Sequence, residues 1–151
     1  MTIIVDADAC PVKGIIAEAA IVRKLKVLWV ASVDHEISMP TGTVIRVDAG
    51  MDSADHTIIK HTDATSLVIT QDYGLAALCL AKGAKVIHPE GWAYRVETID
   101  GLLARRHMHQ MIRRSGGRHK GPTKRKKDAD KRFKAVLIEH LDLYVDKALK
   151  R

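Results

Sequence analysis

Apolar residues along the first ninety positions fall into short runs with two distinct periods. Ile3, Ile4 and Val5 make a continuous β-branched run that predicts a buried strand over residues 2–6. Pro11 stands where a first helical turn accepts proline. Val12, Ile15, Ile16, Ala19, Ala20 and Val22 then recur at helical spacing, which predicts a helix to about Leu25. Lys26 to Ala31 predicts a second strand, and Pro40 and Gly42 a loop before a third at 43–47. Ser53 is the expected cap of a helix over roughly 54–62 that turns Ile58 and Ile59 inward. A fourth strand at 67–70, a helix at 73–82 stopped by a left-handed Gly83, and a fifth strand at 85–87 complete the alternation. Strands and helices alternating at this pitch predict an α/β fold with a mainly parallel sheet and right-handed crossovers. After Pro89-Glu90-Gly91 the pattern becomes all-helical, at about 98–114 and 129–149. The glycine-rich, basic segment 115–123 between these helices is expected to be mobile when free. No internal repeat is visible.

Composition sharpens this picture in three ways. A chain of 151 residues corresponds to one ordinary domain, and 46% hydrophobic with only 4% aromatic residues implies an aliphatic core. Cys10 and Cys79 lie far apart with no C-x-x-C spacing. That argues against a disulfide framework or zinc site and for a reducing cytosol. The early charge at Asp6 argues against a signal peptide, and no apolar run approaches the roughly 20 residues of a membrane span. A soluble, cytoplasmic protein is expected.

The net charge of +7 hides an asymmetry. Residues 105–134 hold thirteen Lys/Arg against two Asp, a net of +11, whereas residues 1–104 carry −4. The plainer reading of so dense a run is a solvated helix face and loop. An acidic body with a basic arm is, however, what a metal enzyme acting on a polyanion needs, so nucleic acid is the expected partner. The arm at about 98–128 supplies Arg105, Arg106, Arg113, Arg114, Arg118, Lys120, Lys124, Arg125, Lys126 and Lys127 as candidate phosphate contacts.

The candidate chemistry lies in the aspartates. Asp6 with Asp8, Asp48, Asp52 with Asp55, and Asp72 stand after apolar runs or at helix starts. The carboxyl ends of parallel strands line the ligand crevice of α/β sheets. Carboxylates gathered there repel one another unless a hard cation such as Mg²⁺ or Mn²⁺ neutralises them. Asp6 and Asp8, two residues apart, share a side if the strand runs through both. Asp52 and Asp55 sit one turn apart on a helix face. Any one of these acids could be a helix cap; repetition at successive strand ends is what capping explains poorly. Lys13 could reach a phosphate near Asp6 and Asp8, or be a solvated helix lysine.

The stretches Asp6-Ala7-Asp8-Ala9-Cys10-Pro11-Val12-Lys13, Gly50-Met51-Asp52-Ser53-Ala54-Asp55, Ile69-Thr70-Gln71-Asp72-Tyr73-Gly74-Leu75-Ala76, Ile112-Arg113-Arg114-Ser115-Gly116-Gly117-Arg118 and Gly121-Pro122 resemble the bacterial YaiI/YqxD family. The resemblance covers nearly the whole chain. That family is similar in turn to PIN-like nuclease domains, three-layer α/β/α sandwiches whose clustered acids bind Mg²⁺ or Mn²⁺ and cleave RNA or DNA. By position, Asp6 resembles the acid after the first strand, Asp55 the acid opening the central helix, and Asp72 the acid after the fourth strand. PIN nucleases often carry a further acid just beyond the last one. Here Tyr73-Gly74 follow, and Asp8 or Asp52 are the residues left to substitute.

The reaction this implies is phosphodiester hydrolysis by metal-activated water, with RNA the expected substrate ahead of DNA and no protein nucleophile. Two rivals stand beside it. One is a phosphatase of the haloacid-dehalogenase type, with Asp6 as nucleophile and Asp8 as acid/base; Cys10 stands where that motif expects Thr or Val. The other is a nucleic-acid-binding protein with a vestigial acidic site. His107 and His109, beside arginines, fit nucleic-acid contact better than zinc. Cys10 reads as a small buried filler, and Trp92 and Tyr94 as residues packing a loop rather than stacking a base.

Overall fold

The computed structural model describes residues 1–33, 36–50, 52–114 and 128–149. The chain runs β1 (Thr2–Asp6), α1 (Lys13–Arg23), β2 (Lys26–Ser32), β3 (Thr43–Val47), α2 (Ser53–His61), β4 (Ser66–Ile69), α3 (Tyr73–Ala81), β5 (Lys85–His88), β6 (Trp92–Ala93), α4 (Val96–Arg114) and α5 (Ala129–Leu149). The strands form one six-stranded sheet in the order β3-β2-β1-β4-β5-β6. All neighbours are parallel except β5 and β6. The expected α/β fold with a mainly parallel sheet is the fold observed.

Strand alternation creates the layers. Ile3 and Val5 of β1, Val27 and Trp29 of β2, and Leu67 and Ile69 of β4 face one side, where α1 and the Phe133, Leu137 and Leu141 ridge of α5 cover them. Ile4, Val30, Val68 and Val86 face the other side, under Ile58 of α2, Leu75 and Cys79 of α3, and Ile99 of α4. Helices thus sit on both faces, the arrangement in which parallel strands are apolar on both sides. Among the described residues, no helix is long and apolar enough to cross a membrane.

The sequence pattern and the structure part at five places. The first helix starts at Lys13, with Pro11 in the turn before it. It also ends earlier than Leu25, because Lys24 takes a left-handed conformation (φ 53°) and Leu25 N–H bonds back to the Ala20 carbonyl. Its buried side includes Ala17 rather than Val22, which is 71% exposed; eleven residues of small and branched side chains define a face loosely. Ser53 is the first helical residue of α2 and not its cap: Asp52 precedes it with φ 69° and no capping hydrogen bond. The two-residue strand β6 carries no run long enough to read from sequence. Gly83, expected to be left-handed, has φ 87°. The segment 115–123 lies outside the described residues.

Gly91 lets β6 approach α5. It has φ 98°, and a Cβ placed there would stand 2.6 Å from both the Arg132 Cβ and the Phe133 backbone nitrogen. Gly91→Ala combines left-handed strain with overpacking, each worth about 1–3 kcal/mol. It is expected to lower unfolding stability by about 3 kcal/mol, read as a lower denaturant midpoint with an unchanged slope.

Candidate functional site

The sheet order reverses direction between β1 and β4, and parallel α/β sheets place their crevice at such a point, beyond the strand carboxyl ends. Asp6 ends β1, and Val5 pairs with Ile69 of β4, which sets Asp6 beside Thr70. The Thr70 hydroxyl donates to Asp6 Oδ2 at 2.9 Å and accepts from Asp72 N–H at 3.0 Å. The Thr70 carbonyl accepts from the buried Tyr94 hydroxyl at 3.2 Å. One threonine thereby ties β1, the β4–α3 turn and the chain after β6 together. Gln71 adds a further tie, its amide donating to the Ala9 carbonyl at 2.6 Å.

The acids sit around this junction in unequal roles. Asp6 is only partly accessible, and burial, with the charges of Asp55, Asp72 and Asp8, pushes its carboxyl up from 3.8 to about 6 against the opposing Thr70 hydrogen bond. Asp55, in the first turn of α2, is also raised, first by burial and then by Asp72 and Asp52. Asp72 caps α3, with Oδ1 accepting from Leu75 N–H at 3.1 Å. Asp8 does not share a strand face with Asp6, because β1 stops at Asp6. Its two oxygens accept from Ser32 N–H at 2.9 and 3.1 Å, which binds the β1–α1 loop to the end of β2. Asp52 and Asp48 are exposed.

Among the described residues, no three His, Cys, Asp or Glu side chains stand close enough to hold a metal ion between them. Asp6, Asp55 and Asp72 repel one another electrostatically, while Asp72 Oδ1 is engaged by its own helix and the Asp8 oxygens by the end of β2. The donor chemistry still fits a hard divalent cation: oxygen ligands throughout, with like charges whose repulsion a cation would relieve. Mg²⁺ is commonly held by only one or two carboxylates, with waters filling the other positions.

The raised Asp6 carboxyl sets a pH dependence. The folded state holds this proton more tightly than the unfolded chain, so stability is greatest below the unfolded value and falls as pH rises. For the metal-free protein the loss should run from about pH 4 to 6 and total on the order of 3 kcal/mol. Denaturant midpoints across that range should decline in the natural protein, and the Asp6→Asn difference should isolate the Asp6 part.

Lys13 is half-buried rather than a fully solvated helix lysine. Its ammonium donates to the Ala7 and Cys10 carbonyls at 2.9 and 3.1 Å, bracing the loop that carries Asp8. Of the arm, Arg105 is exposed, and the Arg106 guanidinium lies 5.6 Å from the Tyr73 ring centre, directly after Asp72 in the chain. Arg113 and Arg114 fall in the last turn of α4, and their side chains lie outside the described residues. Arg118, Lys120, Lys124, Arg125, Lys126 and Lys127 also lie outside them.

Tyr73, His88, Trp92 and Tyr94 form one aromatic cluster, with Trp92 stacked on His88 at 4.5 Å and Tyr94 4% exposed. The rings pack on one another at the edge of the sheet, with Tyr94 buried and Tyr73 and Trp92 half-buried. Cys10 and Cys79 are both buried, and burial raises the Cys79 thiol, which leaves it a poor nucleophile. Thr70 and Tyr94 are the members of this site that sequence reading missed. The only available signal was a polar residue closing the Leu67-Val68-Ile69 run two positions before Asp72.

Residues 4–142 match the profile of the family described as "Uncharacterized BCR, YaiI/YqxD family". The chain is 49% identical over 139 residues to a UPF0178 protein of Natranaerobius thermophilus, covering 92% of this chain and 95% of that one. It is also 49% identical over 142 residues to a UPF0178 protein of Alkaliphilus oremlandii, covering 94% and 92%. A third relative, the UPF0178 protein of Clostridium tetani, is 42% identical over 150 residues, covering 99% and 100%. No solved structure matches the chain.

Proposed function

The chain belongs to the YaiI/YqxD family, and from that premise we propose that it is a PIN-like, metal-dependent nuclease of the cytoplasm that hydrolyses phosphodiester bonds of RNA, or of DNA. The observation that carries this reading is Asp6. It is a largely buried carboxylate at the sheet's switch point, fixed by Thr70 and loaded by the charges of Asp55, Asp72 and Asp8. A protein has little reason to keep such a group unless something offsets the repulsion.

One or two of Asp6, Asp55 and Asp72 would hold a hydrated Mg²⁺ or Mn²⁺, with Asp8 and Asp52 at the rim. Bound there, the cation would supply Lewis acidity and screen the charge of the phosphodiester. Thr70 orients Asp6, while Asp72 stays at the mouth of α3 through its own cap bond. Arg106, held over Tyr73, brings a fixed positive charge to the same edge of the acids, where a phosphate group would pass. The Lys13 ammonium uses two of its three N–H groups on the loop and has one left for a phosphate oxygen.

A second reading has its own support: acids that do not converge as a set of three suit a protein that binds nucleic acid without cutting it. The phosphatase reading is weakened by Asp8, whose oxygens are turned to Ser32 N–H rather than to a substrate. One assay separates the three. Labelled single-stranded RNA and DNA and p-nitrophenyl phosphate are each incubated with protein and Mn²⁺, with and without EDTA. EDTA-sensitive cleavage of nucleic acid is expected. Retention of nucleic acid without cleavage would transfer the reading to binding, and turnover of the phosphomonoester alone to a phosphatase.

A further inference from the structure

The aspartates stand at the carboxyl ends of the strands; the amino ends carry a second feature that the proposed chemistry does not use. Where β1, β4 and β5 begin, a cavity of about 480 Å³ opens between the sheet edge and the last turns of α5. That volume lies within the roughly 300–1,000 Å³ of small-molecule pockets. Lys85 lines it from the start of β5, and His140, Tyr144 and Lys147 from α5, with Leu143, Ala64 and Ala148 as apolar wall.

The charge is one-sided. No Asp or Glu is among the described residues that line the cavity. Neither Lys85 nor Lys147 has an ion-pair or hydrogen-bond partner among the described residues. Met1 also lines the cavity, and its amino group donates to the Tyr144 hydroxyl. Asp63 and Lys26 stand near that amine, and Asp63 Oδ1 accepts from the Thr65 N–H and hydroxyl and the Ser66 hydroxyl. His140 Nδ1 donates to the Val136 carbonyl at 2.8 Å, so Nε2 is the ring's remaining polar atom. Lysines with long methylene stems and free ammonium heads, set around an apolar wall, suit a ligand with both characters.

We infer that this cavity binds a small organic anion, its carboxylate or phosphate head between Lys85 and Lys147 and its apolar body against Leu143, Ala64 and Ala148. The inference is independent of the nuclease reading, since none of these residues is near Asp6.

Isothermal titration of the full chain with octanoate, octyl phosphate and octanol tests it. One equivalent of each anion should bind saturably, and octanol at least tenfold more weakly. Lys85→Gln/Lys147→Gln should weaken both anions at least tenfold. Both lysines are exposed, so the far-ultraviolet circular dichroism and thermal midpoint should be unchanged. Leu143→Asp, at a further exposed position, places an acid on the wall and should weaken both anions as well. No saturable heat from either anion, equal affinity for octanol, or undiminished affinity in the lysine double variant would each overturn the inference.

Discussion

Asp6→Asn is expected to abolish Mn²⁺-dependent cleavage, by at least about 100-fold, while nucleic-acid binding stays intact or tightens. Asn keeps the shape of the side chain and can still accept from the Thr70 hydroxyl, so the loop geometry survives. What would be lost is the negative charge proposed to anchor the cation, and with it the Lewis acidity that a metal-dependent hydrolysis would use. Removing one carboxylate also lowers repulsion of the polyanion, which is why binding can strengthen. The same variant should gain stability at pH 7 in the absence of metal, because Asp6 there carries a charge that burial disfavours. Loss of cleavage with gain of stability separates a functional carboxylate from a structural one. Cleavage that survives in Asp6→Asn, or that EDTA does not stop, would refute the assignment.

Deleting residues 116–127 should cost most of the nucleic-acid affinity. The segment holds six of the candidate phosphate contacts: Arg118, Lys120, Lys124, Arg125, Lys126 and Lys127. Each phosphate neutralised releases condensed counterions, with a log–log salt slope of about −0.7 per contact on single strands. The slope should therefore flatten by up to about 4 on deletion, and affinity near 0.1 M salt should fall by about two orders of magnitude. Fluorescence anisotropy with a labelled single strand, repeated across salt concentrations, reads both quantities. A flat salt dependence in the intact protein, or unchanged affinity after deletion, would sink the role of the arm.

The sheet could be read from sequence because its strands are buried on both faces and so appear as unbroken apolar runs, as at Ile3-Ile4-Val5 and Leu67-Val68-Ile69. Burial on two faces also explains why the helices that follow were placed to within a few residues. Elements held by tertiary contact escaped. β6 exists because Trp92 and Ala93 pair with β5, and Gly91 allows the neighbouring helix close. The acids at strand ends were visible for the same reason as the strands, since a charge that stops an apolar run marks the sheet's rim. Their orientations were not. Asp8 was expected beside Asp6, but its partner is Ser32, 24 positions away, and only the pairing of β1 with β2 brings that N–H within reach. Thr70 reads locally as an ordinary strand residue; its contact with Asp6 spans 64 positions and depends on the β1–β4 register.

The place of α5 has a consequence for the order in which the molecule can be completed. Phe133, Leu137 and Leu141 share one core with Ile3, Val5 and Trp29, residues that lie more than about 100 positions earlier in the chain. The chain must also pass from the face covered by α4 to the opposite face before that helix can dock. Until then, one side of the nascent sheet has only α1 for shelter, and its remaining apolar surface is open to other chains. Contacts of such long sequence separation form slowly, because loop closure precedes the gain from packing. The emerging polypeptide is therefore most vulnerable to misassembly after β6 has been made and before α5 docks.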